Sequence, residues 1–314
     1  MKRLALALLA LLWATTAQAA NCTWQGGTGT WNNASSANWT CGHVPTSSDV
    51  AIFNSTSGGG TVTVDSPNGA GIVDVQQITM GQFSGGTLDF SVNNNNVTLQ
   101  VYSNSNISTR TIKMGSGAWT ITGANNARVW DMAVTTNGTC DTGTASLTFT
   151  NSSPNFGWAT MALCNFTNNT VTIGPLTGGG YILIDNGPTI GTLVASPPAN
   201  IMIWVNVNII NAINWTGTSS NPINLFAFDS GIAASLSLST AGTMRYVNVR
   251  DINAGGGAGV LTLYNSFNMG NNTNMTFNTG GAGGGACILG GWLLWRDLPG
   301  HIGDNFPAWL EKEV

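Results

Sequence analysis

The sequence predicts an all-β chain wound as a β-solenoid, with an antiparallel β-sandwich as the alternative. Three observations carry that expectation. Short runs of alternating apolar and polar residues recur along the chain, among them Thr61–Val64, Val97–Val101, Thr111–Met114, Trp119–Thr122, Leu147–Phe149, Val171–Ile173, Ile203–Ile209, Leu236–Leu238, Tyr246–Val249, Leu261–Leu263 and Met275–Phe277. Period two is the signature of a strand with one face in and one out. Between them lie turns rich in Asn, Gly and Ser, such as Asn93–Asn96, Gly178–Gly180 and Gly255–Gly257. Only 7% of residues are charged, against about 25% in ordinary chains, so the outer faces must be built from Asn, Thr, Ser and Gly. Stacked rungs set like residues above one another, where repeated charges would repel. The pairs Asn68-Gly69 and Asn186-Gly187 suit hairpins and keep the sandwich open. The solenoid is preferred because the runs outnumber the strands of one sandwich and no linker divides the chain. Rungs of about 20 to 30 residues give roughly ten turns.

Met1 to Ala19 has the form of a secretory signal: Lys2-Arg3, an apolar run from Leu4 to Trp13, then Ala17-Gln18-Ala19 as a cleavage site. Cleavage there starts the mature chain at Ala20. The run is shorter than the roughly 20 residues that span a bilayer, which makes an uncleaved anchor the less economical reading. A lipid anchor on Cys22 fits less well still, with Asn21 directly before it. The expected location is secreted, periplasmic or at the cell surface.

Residues 20–53 form the block on which the rest is laid. Trp24, Trp31 and Trp39 are separated by Gly26, Gly27, Gly29 and small polar residues, so large indoles can lie where the backbone turns sharply. That composition suits a cap over the open apolar end of a stack. Val44-Pro45 forces an extended exit, and Asp49–Phe53 reads as the first strand. Cys22 and Cys41 flank the tryptophans and would staple them, and Cys140 with Cys164 would close a second loop. A closed loop of about 15 residues or slightly more is worth roughly 3 kcal/mol. Cys287 is left over, as a buried thiol or an intermolecular bridge. Five cysteines fit an oxidising compartment, and no C-x-x-C pair supports zinc.

The block resembles the N-terminal repeat of exported bacterial β-helix surface proteins, the autotransporter-like and PEP-CTERM-associated families, and similar openings in fibre-like proteins of environmental phages. Those repeats begin W-x-G-G-x-G-x-W, continue x-N-W and end V-P-x-x-x-D-x-V-x-F. Here the match lies in Trp24, Gly26, Gly27, Gly29, Trp31, Asn38, Trp39, Val44, Pro45, Asp49, Val50 and Phe53. The resemblance implies a single-stranded, right-handed parallel β-helix outside the cytoplasm over residues 54–279. It is almost silent on activity.

Function classes narrow by subtraction. Nine Lys+Arg against thirteen Asp+Glu leave no basic stripe for phosphates, which excludes a nucleic-acid partner. No cofactor motif and no metal-ligand spacing stands out around His43 or His301. Glycoside hydrolysis wants two carboxylates about 5 to 10 Å apart, yet the body has no Glu, and Asp49, Asp65, Asp74, Asp89, Asp131, Asp141, Asp185, Asp229 and Asp251 are scattered singly. Arg110, Lys113 and Arg128 near Asp131 and Asp141 form its richest charged neighbourhood; surface ion pairs are the simpler role. Arg250-Asp251, at a strand end, reads as turn stabilisation. No nucleophile elbow occurs. No catalytic residue is therefore nominated, and a polysaccharide lyase or hydrolase is the second alternative. The leading expectation is a non-catalytic, adhesin-like protein that binds a surface glycan or protein, with Trp119, Trp130, Trp158, Trp204 and Trp215 as candidate stacking residues and core packing as their competing role. The first alternative is a structural fibre or assembly subunit.

Residues 280–314 change texture, with a Gly-rich joint, the apolar run Cys287–Trp295 and a charged end. This segment is expected to cap the last rung or to dock another subunit, giving self-association. It carries no L-P-x-T-G signal, Leu298-Pro299-Gly300 being the nearest approach, so retention by non-covalent contacts or release is expected.

Overall fold

A computed structural model describes residues 19–32, 38–65, 71–103, 109–123, 128–131, 138–150, 158–162, 165–176, 181–185, 187–204 and 206–278. Residues 1–18, where a signal is expected, Cys164, the Trp158 side chain, Cys287 and the tail lie outside them. The chain falls into two units, Met1–Asn278 and Thr279–Val314, and the described strands all belong to the first.

Those strands form three parallel sheets of eleven, five and twelve strands. In the first, the order runs Asn21–Thr23, Val50–Ile52, Gln77–Thr79, Val101–Ser103, Arg128–Asp131, Trp158–Ala162, Tyr181–Asp185, Ala199–Ile203, Ile223–Ala227, Val247–Arg250 and Phe267–Asn268. Each strand pairs in parallel with the next pass of the chain, which is solenoid-like stacking. Among the described residues every named ladder is parallel, and the antiparallel contact is one isolated bridge between Trp24 and Trp39. The antiparallel sandwich is thereby excluded: Asn-Gly pairs allow a hairpin, but the described strands that flank Asn68-Gly69 and Asn186-Gly187 lie in different sheets. Apart from a single 3-10 turn at Ser55–Ser57, no helix is found in the described residues, and none there is long and apolar enough to cross a membrane.

Two sequence boundaries move. The first strand is Asn21–Thr23 rather than Asp49–Phe53; it pairs with Val50–Ile52, and Val50 N donates to Ala20 O at 2.9 Å. The run Ile203–Ile209 is two strands, because Ala199–Ile203 ends where the chain turns into Val207–Thr216. Corners are tight. A Cβ on Gly117 would sit 1.9 Å from Asn95 O, so a side chain there would push successive corners apart.

Alternation within strands builds one continuous core from Cys22 to Leu263. At its N-terminal end Trp24, Trp31 and Trp39 are 0%, 0% and 2% exposed. Trp24 and Trp31 meet Trp39 edge-on, with centroids 5.2 and 4.9 Å apart. Trp24 Nε1 donates to Gly27 O and Trp39 Nε1 to Trp31 O, so these two indoles are buried with their polar atoms satisfied. Cys22 and Cys41 are joined as a disulfide. Cys140 is also disulfide-bonded.

Candidate functional site

Register decides which tryptophans can meet a ligand. Trp119, Trp130 and Trp215 are all 0% exposed, which corrects their nomination as stacking residues: they occupy inward positions of the alternation. Trp119 packs edge-on against Phe90 at 4.7 Å and Trp130 stacks on Tyr102 at 4.6 Å. Trp215 Nε1 donates to Leu193 O at 2.9 Å inside the core. Trp204 behaves differently. It follows the strand Ala199–Ile203 at an outward position and is half-buried.

Around Trp204 the outer face of the first sheet carries a strip that the sequence reading missed. Leu183 pairs with Met202, Met202 with Phe226, and Phe226 with Arg250, which forms one column across four strands. Leu183 and Phe226 are only 3% and 5% exposed, yet neither belongs to the continuous core. Beside this column, Trp204 and Phe228 stand on adjacent rungs with ring centroids 4.9 Å apart and planes tilted by 31°. The Arg250 guanidinium lies 5.2 Å from the Phe226 ring centre, within cation–π range.

On the other side runs a ladder of amides. Asn200 pairs with Asn224 and Asn224 with Asn248. Asn224 Nδ2 donates to Asn200 Oδ1 at 2.6 Å, and Asn248 Nδ2 donates to Asn224 Oδ1 at 2.8 Å. Each step spans 24 residues. That spacing of identical residues was the signal available in the sequence: Asn200, Asn224 and Asn248 recur at equal intervals.

The strip's electrostatics are nearly balanced. Arg250 Nε is 3.1 Å from Asp251 Oδ2, an ion pair whose N–H is not aligned for a hydrogen bond. Asp251 is 3% exposed and also accepts from Gly231 N and from Asn271 Nδ2, at 3.1 and 2.8 Å. Tyr246 and Asp251, at φ 52° and 58°, bracket the strand Val247–Arg250, and such left-handed residues fix where it starts and stops. The turn role expected for Arg250-Asp251 is thus present, with Arg250 also covering an aromatic ring.

The charged neighbourhood in the body resolves into a column on the second sheet, where Asp89, Lys113 and Asp141 share register. Lys113 Nζ is 3.5 Å from Asp89 Oδ2, and Arg110 is 2% exposed with Nη1 3.4 Å from Gly81 O. These groups meet one another and the backbone. The side chains of Arg128 and Asp131 lie outside the described residues.

Among the described residues one cluster has metal-ligand geometry: Cys22, Cys41 and His43 place ligand atoms within 4.8 Å of one another. Both sulfurs are spent on their mutual bond, so this arrangement offers a single imidazole. His43 Nε2 in turn contacts Asp49 Oδ2 at 3.0 Å.

No family model matches the chain, and comparison with curated proteins and with solved structures also gave no match. The fold and strip define a class all the same: a parallel β stack with an outward aromatic–amide face.

Proposed function

We propose that the protein is an exported, non-catalytic, right-handed β-helix that binds a glycan through the half-buried Met202, Trp204 and Phe228 and the flanking asparagines, with the buried Leu183 and Phe226 packed in the same strip. In this reading residues 1–19 are removed on export, the Trp24–Trp31–Trp39 block caps the stack, and the chain works outside the cytoplasm, as in the exported bacterial surface proteins that its first repeat resembles.

The carrying observation is the outward placement of aromatic residues on a stack otherwise faced with Thr, Asn and Ser. Sugars offer apolar C–H faces and a rim of hydroxyls, and a site of aromatic rings with a few fixed amides meets both. The low net charge of the strip favours a neutral glycan. The test is retention of the mature chain on immobilised polysaccharides, with and without Trp204→Ala. Retention that soluble oligosaccharide competes away and that Trp204→Ala abolishes supports the reading. Absence of retention on every glycan would reject it.

The alternative, assembly with a protein partner or another copy, has its own observation. Phe267, on the last described strand of the first sheet, is 47% exposed, and an exposed aromatic group favours association. Sedimentation at rising concentration separates this reading, since glycan binding alone leaves the mass unchanged.

A further inference from the structure

Asp49 is almost fully buried, at 2% exposure, and its carboxylate is filled with donors. Oδ2 accepts from Thr46 N at 2.9 Å, from Thr46 Oγ1 at 2.7 Å and contacts His43 Nε2 at 3.0 Å. Oδ1 accepts from one group, the backbone nitrogen of Ala20, at 3.0 Å. Burial alone would raise this carboxyl. The bonds from Thr46, His43 and Ala20 outweigh it and hold the group at about 2. A stably ionised carboxylate at 2% exposure with no Lys or Arg bonded to it is uncommon, since buried charges are ordinarily paired. Its one partner able to become a full cation independently of a histidine is the nitrogen of Ala20.

Ala20 is also where the sequence places the start of the mature chain, directly after Ala17-Gln18-Ala19. We infer that signal cleavage between Ala19 and Ala20 turns the Ala20 amide nitrogen into an α-ammonium that forms an ion pair with Asp49 and locks the N-terminal strand in place. Hydrolysis of the Ala19–Ala20 peptide bond consumes one water. The water oxygen goes to the Ala19 carbonyl carbon, the new carboxyl gives up its proton and leaves as a carboxylate, and the released amine takes up a proton, so no net proton is exchanged with solvent. Ala19 is exposed and Ala20 half-buried, so the bond is reachable from outside while the new ammonium keeps part of its hydration. The same residue anchors the first strand, because Val50 N donates to Ala20 O at 2.9 Å and Asn21 pairs with Val50. Asp49 thereby reads whether the precursor has been processed. A neutral amide gives it one ordinary hydrogen bond, and an ammonium gives it a charge-assisted one, which is roughly twice as strong.

The groups facing this site are His43, Asp49 and the α-amine itself. The amine's pKa is raised by the carboxylate, so its contribution is complete below its ordinary value of about 8 and is lost as pH rises through the raised value.

The test uses the full-length mature protein in two forms, one beginning at Ala20 and one retaining Ala19, each with Asp49 and with Asp49→Asn. Mass spectrometry of the exported chain should give Ala20 as the terminus. Hydrogen exchange at the Val50 amide should be about tenfold faster when Ala19 is retained, a coupling of about 1.4 kcal/mol, and the two forms should exchange alike in Asp49→Asn. Should Asp49→Asn fail to fold, the α-amine pKa of the native protein, read by NMR after 13C-dimethylation, still decides: a value above about 8 supports the pair. A terminus at another residue, equal exchange in the two forms with Asp49 intact, or an α-amine at or below its ordinary pKa would overturn the inference.

Discussion

Two groups of tryptophans in this chain share a chemistry and differ in fate. Trp24, Trp31 and Trp39 are driven inward against Phe53, with Trp39 5.6 Å from that ring, whereas Trp204 stands outside the wall against Phe228 at 4.9 Å. The inward set is stapled by Cys22–Cys41 and belongs to the continuous core. The outward pair sits on adjacent rungs. What separates them is the side of the wall each position faces, since one residue's shift along an alternating chain moves a side chain from the core to solvent. Hydrophobicity tells which residues can be buried, and register tells which ones are.

The sharpest break of that comparison is Trp31→Ala. Removing a fully buried indole should cost about 3–5 kcal/mol, seen as a lower denaturant midpoint by tryptophan fluorescence. Loss of the staple comes next. Cys22→Ser with Cys41→Ser, across a sequence separation of 19, should cost about 3 kcal/mol, and early proteolysis within residues 20–53 would show it. Acid probes the polar pin of the same block. The Asp49 carboxyl is depressed to about 2, so its stabilisation is complete above the ordinary value of 3.8 and disappears as pH falls toward 2. The loss should reach about 2 kcal/mol, and Asp49→Asn should flatten that part of the stability–pH curve. The smallest effect on stability is expected from the outward ring. Trp204→Ala should cost about 1 kcal/mol, while glycan affinity falls at least about tenfold. If Trp204→Ala instead destabilised as Trp31→Ala does, the ring would belong to the fold rather than to recognition.

Much of the architecture was legible. Alternating runs such as Leu261–Leu263 and Met275–Phe277 fall within the strands Leu261–Tyr264 and Met275–Asn278, and the Cys22–Cys41 pairing follows from the position of those residues around the tryptophans. Periodicity is a local property, and it survives whatever the chain does elsewhere. The candidate site was hardly legible, because outward and inward strand positions look alike until the corners are counted. Trp119 and Trp215 sit in runs as regular as that of Trp204. Corners vary in length, as between Ile203 and Val207, so parity cannot be carried from one rung to the next. Phe226 and Phe228 carry no motif; they matter through the strands above and below them. The Asn200–Asn224–Asn248 recurrence could have been found, since a ladder needs equal spacing and equal side chains.

That recurrence makes the stack a ruler. Because three successive passes repeat at 24 residues with their amides in line, a whole pass can be removed or duplicated and the remaining wall still fits. Deleting Leu225 through Asn248 would bring Val249 to the place Leu225 now holds and preserve inside and outside, while deleting one residue fewer would exchange them. The length of the strip can therefore change in whole steps without redesign of any single rung.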